Sequence, residues 1–128
     1  MSSRKIIHTS KAPSPIGPYS QAILAGNTLF ISGQIALDPN SGELIEGDIK
    51  EETRKCMENL RAILTKASMS FEQVVKASIF VKDMKQFAEI NEVYASYFDS
   101  DYAPARETVE VANLPKFVNV EISMIAIR

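Results

Sequence analysis

Apolar and polar positions along this 128-residue chain follow two periodicities, and the switches between them mark out its elements. Residues 4–9 (RKIIHT) read as a short strand. YSQAILA (19–25) and TLFISGQ (28–34) are extended runs on either side of Gly26-Asn27, which predicts a tight β-hairpin. DPNSGELIEGD (38–48) is rich in turn formers and reads as a loop. From Ile49 to Ala67 the apolar positions Ile49, Cys56, Met57, Leu60, Ile63, Leu64 and Ala67 recur at helical spacing and predict an amphipathic helix. Ser70 and Gln73 stand at capping-box spacing, but the run after them is β-rich. The expectation is a turn or short helical step, then a largely buried strand at 74–82. A second helix is expected over about 84–98, with Phe87, Ile90, Asn91, Tyr94 and Phe98 on one stripe. RETVEVA, NLPK and VNVEISMIAIR predict a second hairpin at the end. The order β-(ββ)-α-β-α-(ββ) is an α+β layout with two helices on one face of a sheet.

Alternation and hairpin pairing also place side chains. In the first hairpin Ala25 should face Thr28, Gln21 face Ser32 and Tyr19 face Gln34. Tyr19, Gln21, Ile23, Phe30, Ser32 and Gln34 then share one face, and Ala22, Leu24, Leu29, Ile31 and Gly33 the other, apolar one. In the second hairpin Ala112 should face Phe117, with Arg106 opposite Ser123, Thr108 opposite Glu121 and Glu110 opposite Asn119. That register puts Arg106, Thr108 and Glu121 on one face. Val109, Val111, Val118, Val120, Ile122 and Met124 fall on the other. Two helices cover one side of a sheet, so the mixed face carrying Phe30, Ile125 and Ile127 needs other cover. A homo-oligomer is expected.

PSPIGPYSQA (13–22) interrupts this pattern. Pro13, Pro15 and Pro18 make helix improbable and an ordered extended path the expectation. Either the stretch is a rigid lead-in to the sheet, or it is a stiff arm that holds Tyr19 against a site.

Composition narrows the function. The chain is long enough for one domain with a real core, 1–128. Its net charge is −2 with both signs interspersed, which argues against nucleic acid or an anionic membrane as the principal partner. No apolar run has signal-peptide or membrane-span length, and the single cysteine excludes an internal disulfide framework; a cytoplasmic protein is expected. The one histidine, His8, has no cysteine or carboxylate at ligand spacing, so no metal site is predicted, and no phosphate-binding glycine motif points to a cofactor. Ser32 lacks a nucleophile elbow, and Cys56 lies on a helix's apolar stripe. What remains is Arg106 and Glu121, with Thr108, Tyr19 and Ser32. A guanidinium grips a carboxylate through two parallel hydrogen bonds, and a carboxylate can polarise water or exchange a proton with a leaving nitrogen. This set can hydrolyse something small and acidic without a cofactor. On spacing alone it can equally be a structural cross-strand pair.

PSPIGPYSQA, LFISGQI, FVKDMKQFAEINEVYASYF, PARETVEVANLP and VEISMIAI, in order over nearly the whole chain, resemble the reactive intermediate deaminase A (RidA, formerly YjgF) family. The resemblance implies a chorismate-mutase-like fold with a mixed sheet, and a homotrimer with sites in the clefts between subunits. It further implies cofactor-independent hydrolysis of 2-imino acids (2-iminobutanoate, 2-iminopropanoate) to 2-oxo acids and ammonia. By position, Arg106 resembles the carboxylate anchor and Glu121 the water-handling acid. Tyr19 and Ser32 match pocket-wall positions, Gly33 and the Glu107-Thr108 backbone match N–H donors, and Asn91 matches a residue near the cleft. The family often has cysteine where this chain has Thr108, which puts any thiol-dependent role in doubt. Two other readings stand beside imine hydrolysis: a module that binds a 2-oxo acid without turnover, and the RNA cleavage or translation inhibition attributed to some relatives. The acidic balance counts against the last.

Overall fold

The Gly26-Asn27 hairpin forms in the predicted register: Ala25 faces Thr28 and Ala22 faces Ile31, with Gly26 at φ +59° making the turn. It is part of a six-stranded sheet in the computed structural model, which describes residues 4–128. The elements are β1 (Arg4–Ile7), β2 (Ala22–Ala25), β3 (Thr28–Gln34), α1 (Ile49–Lys66), β4 (Val74–Val81), α2 (Phe87–Ala95), β5 (Ala105–Glu110) and β6 (Val120–Ile127). The strand order is β1-β2-β3-β6-β4-β5, antiparallel except for β4 and β5, which run parallel. The expected α+β layout with a mixed sheet and two helices is therefore present. The second helix is shorter than predicted, because Met84–Gln86 form a separate 3₁₀ turn capped by Asp83.

The core lies between the helices and the inner face of the sheet. Cys56, Leu60, Ile63 and Leu64 of α1 meet Leu29, Ile79, Ile122 and Met124, all at most 2% exposed. Each such aliphatic side chain contributes about 1.5–3 kcal/mol by leaving water. Cys56 is a buried thiol, as its place on the apolar stripe predicts; burial pushes its pKa well up. Asp48 caps α1 by accepting from the Glu51 N–H at 2.9 Å. One turn later Glu52 accepts hydrogen bonds from Asn119 N and Nδ2, both at 2.8 Å, and from Val120 N at 3.2 Å. This clamp fixes the start of β6 immediately before Glu121.

Two register expectations are corrected. The terminal hairpin does not exist: β4 lies between β5 and β6, pairing Ala77 with Arg106 and Ile79 with Thr108 on one side, and Phe80 with Glu121 on the other. Laterally paired residues point the same way, so Arg106 and Thr108 share the helix-covered face with the buried Ala77 and Ile79. Glu121 lies with Phe80 on the opposite face. Arg106, Thr108 and Glu121 do not share a face, and Val109 lies with Phe80 and Glu121 rather than with the core. Second, the β3–β6 register shifts between Ile31 and Gln34. The bulge turns Gly33 towards Glu121 instead of the core and buries Gln34 at 5% exposed instead of leaving it beside Phe30.

Ile6, Ile23, Phe30 and Ile125 form a lateral row on the uncovered face, with Ile6 62% and Phe30 47% exposed. No helix among the described residues is long and apolar enough to cross a membrane.

Candidate active site

The proline arm is an ordered wall. Gln21 is 2% exposed and sits beneath it: its Oε1 accepts from Thr9 N at 2.8 Å, and its Nε2 lies 2.9–3.2 Å from the carbonyls of Thr9, Ala12 and Pro13. Ser32 donates to the Ser20 carbonyl at 2.6 Å, which ties the arm to β3 and occupies the hydroxyl that a nucleophile would need. The Tyr19 side chain folds back over Gly17, and its hydroxyl accepts from Ile16 N at 3.3 Å. The arm places Tyr19 in the wall of a cavity that Pro13, Ser14 and Ile16 also line. Gln21→Leu should remove the donor shared by the buried Ala12 carbonyl and the part-buried Thr9 and Pro13 carbonyls and cost about 1–3 kcal/mol, read as a lowered urea midpoint at unchanged m-value.

Behind the arm lies a cavity of about 330 Å³ with Tyr19, Ser32, Gly33 and Glu121 in its wall. Gln21, Ile35, Leu37 and Pro115 also line it, together with arm residues such as Pro13 and Ile16. Glu121 is half-buried, and desolvation raises its carboxyl pKa above the ordinary 4.5. It accepts no hydrogen bond and forms no ion pair with another described residue. Its carboxylate packs on the bare backbone of Gly33, where a Cβ would come within 2.6 Å of Oε2 and 2.8 Å of Cδ. Gly33→Ala should therefore displace the carboxylate. The obstacle is a flexible side chain rather than backbone, so the melting temperature should change little while any activity depending on Glu121 falls at least about tenfold.

Arg106 sits elsewhere, at the sheet edge under α2. Its Nη1 donates to Asn91 Oδ1 at 2.7 Å, and its guanidinium carbon lies 5.0 Å from the Tyr94 ring centroid and 5.6 Å from that of Phe87. It has no carboxylate partner among the described residues. The Thr108 hydroxyl, on the same face, is buried without a partner. The Glu107 side chain points to the other face, where hydrogen bonds from Ser78 and Lys76 hold its carboxyl below the usual range.

The predicted residues thus fall into two groups. Tyr19, Ser32, Gly33 and Glu121 converge on the cavity; Arg106, Asn91, Glu107 and Thr108 belong to the β5–α2 edge and do not reach it. The pocket walls Ile35, Leu37 and Pro115 escaped the sequence reading, as did the packing of Phe87 and Tyr94 on Arg106. The last was signalled by the 87/91/94 helical spacing.

Residues 9–128 match the family model described as Endoribonuclease L-PSP. A RutC family protein of Pyrococcus horikoshii is 54% identical over 123 residues, 96% of this chain and 97% of its own. The chain belongs to the RidA (YjgF) family. A second RidA-family relative, the 2-iminobutanoate/2-iminopropanoate deaminase of Bos taurus, is 47% identical over 98% of this chain and 90% of its own. The crystal structure of E. coli TdcF with bound serine superposes with a TM-score of 0.91 at 42% identity, over 97% of this chain and 98% of that one. The RidA fold therefore extends over nearly the whole chain.

Proposed function

We propose that this protein hydrolyses 2-imino acids such as 2-iminobutanoate and 2-iminopropanoate to 2-oxo acids and ammonia, at sites completed by a second copy of the chain. One observation carries the reading: Glu121 and Arg106, each without an ionic partner, lie on opposite faces of one sheet. Within one chain they cannot grip one small molecule. Brought together from two copies, the Arg106 edge of one chain closes the Glu121 cavity of the next. The row Ile6, Ile23, Phe30 and Ile125 supplies apolar surface for that contact, and the family resemblance points to a trimer. Light scattering at micromolar concentration should give a trimer; a clean monomer would remove both the assembly and the shared site.

Arg106 then holds the substrate carboxylate in a two-bond grip. Glu121, ionised, takes a proton from water as the oxygen attacks C2 of the imine, and that proton passes to the nitrogen. The proton of the new hydroxyl follows the same route, the C–N bond breaks, and ammonia leaves behind the 2-oxo acid. A carboxyl whose proton affinity is raised by burial suits this two-way transfer.

The deaminase name of the Bos taurus relative and the bound serine in TdcF, itself a small carboxylate, support the substrate class. A module that only bound 2-oxo acids would need Arg106 alone, so the unpaired Glu121 favours turnover. The net charge of −2, with both signs interspersed, counts against a surface for RNA phosphates. The test is ammonia release from imine generated in situ by a threonine dehydratase, with spontaneous hydrolysis subtracted. Acceleration above background is expected; a rate equal to background overturns the reading.

A further inference from the structure

We infer that Phe87, Asn91 and Tyr94 form an acid-free holder for Arg106, which positions the guanidinium while leaving its charge for the substrate. The three are positioning residues and touch no reacting atom. The inference rests on the imine-hydrolase reading above and adds what sets substrate affinity within it.

The three residues lie at i, i+4 and i+7 on one stripe of α2, directly over the Arg106 position of β5. A guanidinium carries five N–H donors in a fixed fork, and one of them is used on the neutral Asn91 amide. The Tyr94 and Phe87 rings lie within the range at which aromatic faces attract a cation, without consuming donors or charge. Tyr94 remains a neutral phenol, since burial pushes its pKa up to about 12. The ordinary way to fix an arginine is a carboxylate, and α2 carries Glu89 and Glu92 on either side of the holder. Neither reaches Arg106: Glu92 is bound by Lys50 at 2.7 Å, and Glu89 makes no ion pair. An acid at position 91 would form the pair that the substrate carboxylate must form.

The decisive variant is Asn91→Asp, nearly isosteric and able to keep the bond to Nη1. It should melt no lower than the parent, yet raise KM for the imine at least about tenfold, because an Arg106 engaged by the introduced carboxylate most of the time binds substrate only in the remaining fraction. The kcat at saturation should stay within about threefold. Asn91→Leu, which loses the bond but adds no charge, should raise KM less than Asn91→Asp. Phe87→Leu should raise KM about two- to fivefold with kcat unchanged. A purely structural hydrogen bond predicts the reverse order, with leucine worse than aspartate in both stability and KM. That order, or parent-like KM in Asn91→Asp, would overturn the holder. Calorimetric titration with 2-oxobutanoate separates the two claims. If the parent binds it without hydrolysing imines and Asn91→Asp loses binding, the holder stands and the enzymatic reading falls. If the parent neither binds nor hydrolyses, both fall.

Discussion

Glu121→Gln should lower kcat/KM for imine hydrolysis by about 10²–10⁴-fold, the usual worth of a positioned acid or base. Fold and assembly should be unaffected. Glutamine has the same shape, and Glu121 gives up no protein hydrogen bond or ion pair by the change. Stability supplies an independent readout whose sign follows from the raised pKa. Burial favours the protonated carboxyl in the folded chain. The stability associated with this group is therefore fully present below the unfolded value near 4.5 and is lost as pH rises through the higher folded value. The glutamine variant, which cannot ionise, should be at least as stable as the parent at neutral pH, with the difference closing below about pH 4.5. Thermal melts at both pH values check this, alongside the ammonia assay. A variant that turns over like the parent, or that is markedly destabilised at neutral pH, would make Glu121 a structural group.

Arg106→Lys should be nearly as damaging although the charge is kept. An ammonium cannot make two coplanar bonds to a carboxylate while also donating to Asn91 and stacking against Tyr94 and Phe87. Losing such a charged grip costs about 2–5 kcal/mol, or roughly thirty- to several-thousand-fold in kcat/KM. The loss should include affinity for 2-oxobutanoate, measured by titration. The fold should survive, because Arg106 is exposed at the sheet edge and no carboxylate depends on it. Parent-like turnover with unchanged affinity would show that the lysine suffices and that substrate is anchored elsewhere.

Much of this was legible in the residues. The 26–27 turn, the amphipathic α1, the capping box at Ser70 and the alternation of β6 all form where the pattern puts them. Two things were hidden, each for a definite reason. Alternation tells which residues of one strand share a face, but not which strand lies beside it. The polar and apolar sets of β5 therefore fit an antiparallel partner that does not exist, and that pairing puts Arg106 on the wrong side of the sheet. A contrary signal was available: a strand at 74–82, a helix and a further strand form a β-α-β order, whose crossover length is that of parallel neighbours. The bulge at Gly33 was the other, and an isolated glycine inside a strand pattern is its ordinary mark. Tyr19, Ser32 and Glu121 stand out as polar positions on the two expected hairpins, and the family resemblance is what groups them at one pocket. Their separation from Arg106 was not visible from pattern, since it depends on the order of strands. Only the family resemblance suggested that the two halves meet between subunits.

That meeting is the centre of the account, and subunit mixing tests it most directly. Arg106→Lys and Glu121→Gln chains, each nearly inactive alone, are unfolded together in equal amounts, refolded and assayed for ammonia release. If each site takes Arg106 from one chain and Glu121 from its neighbour, random reassembly pairs two intact groups at about one site in four, and about a quarter of the parent activity should return. If the mixture, shown by mass spectrometry to contain hybrid oligomers, is no more active than its two components, the site is not shared between chains and the account is wrong.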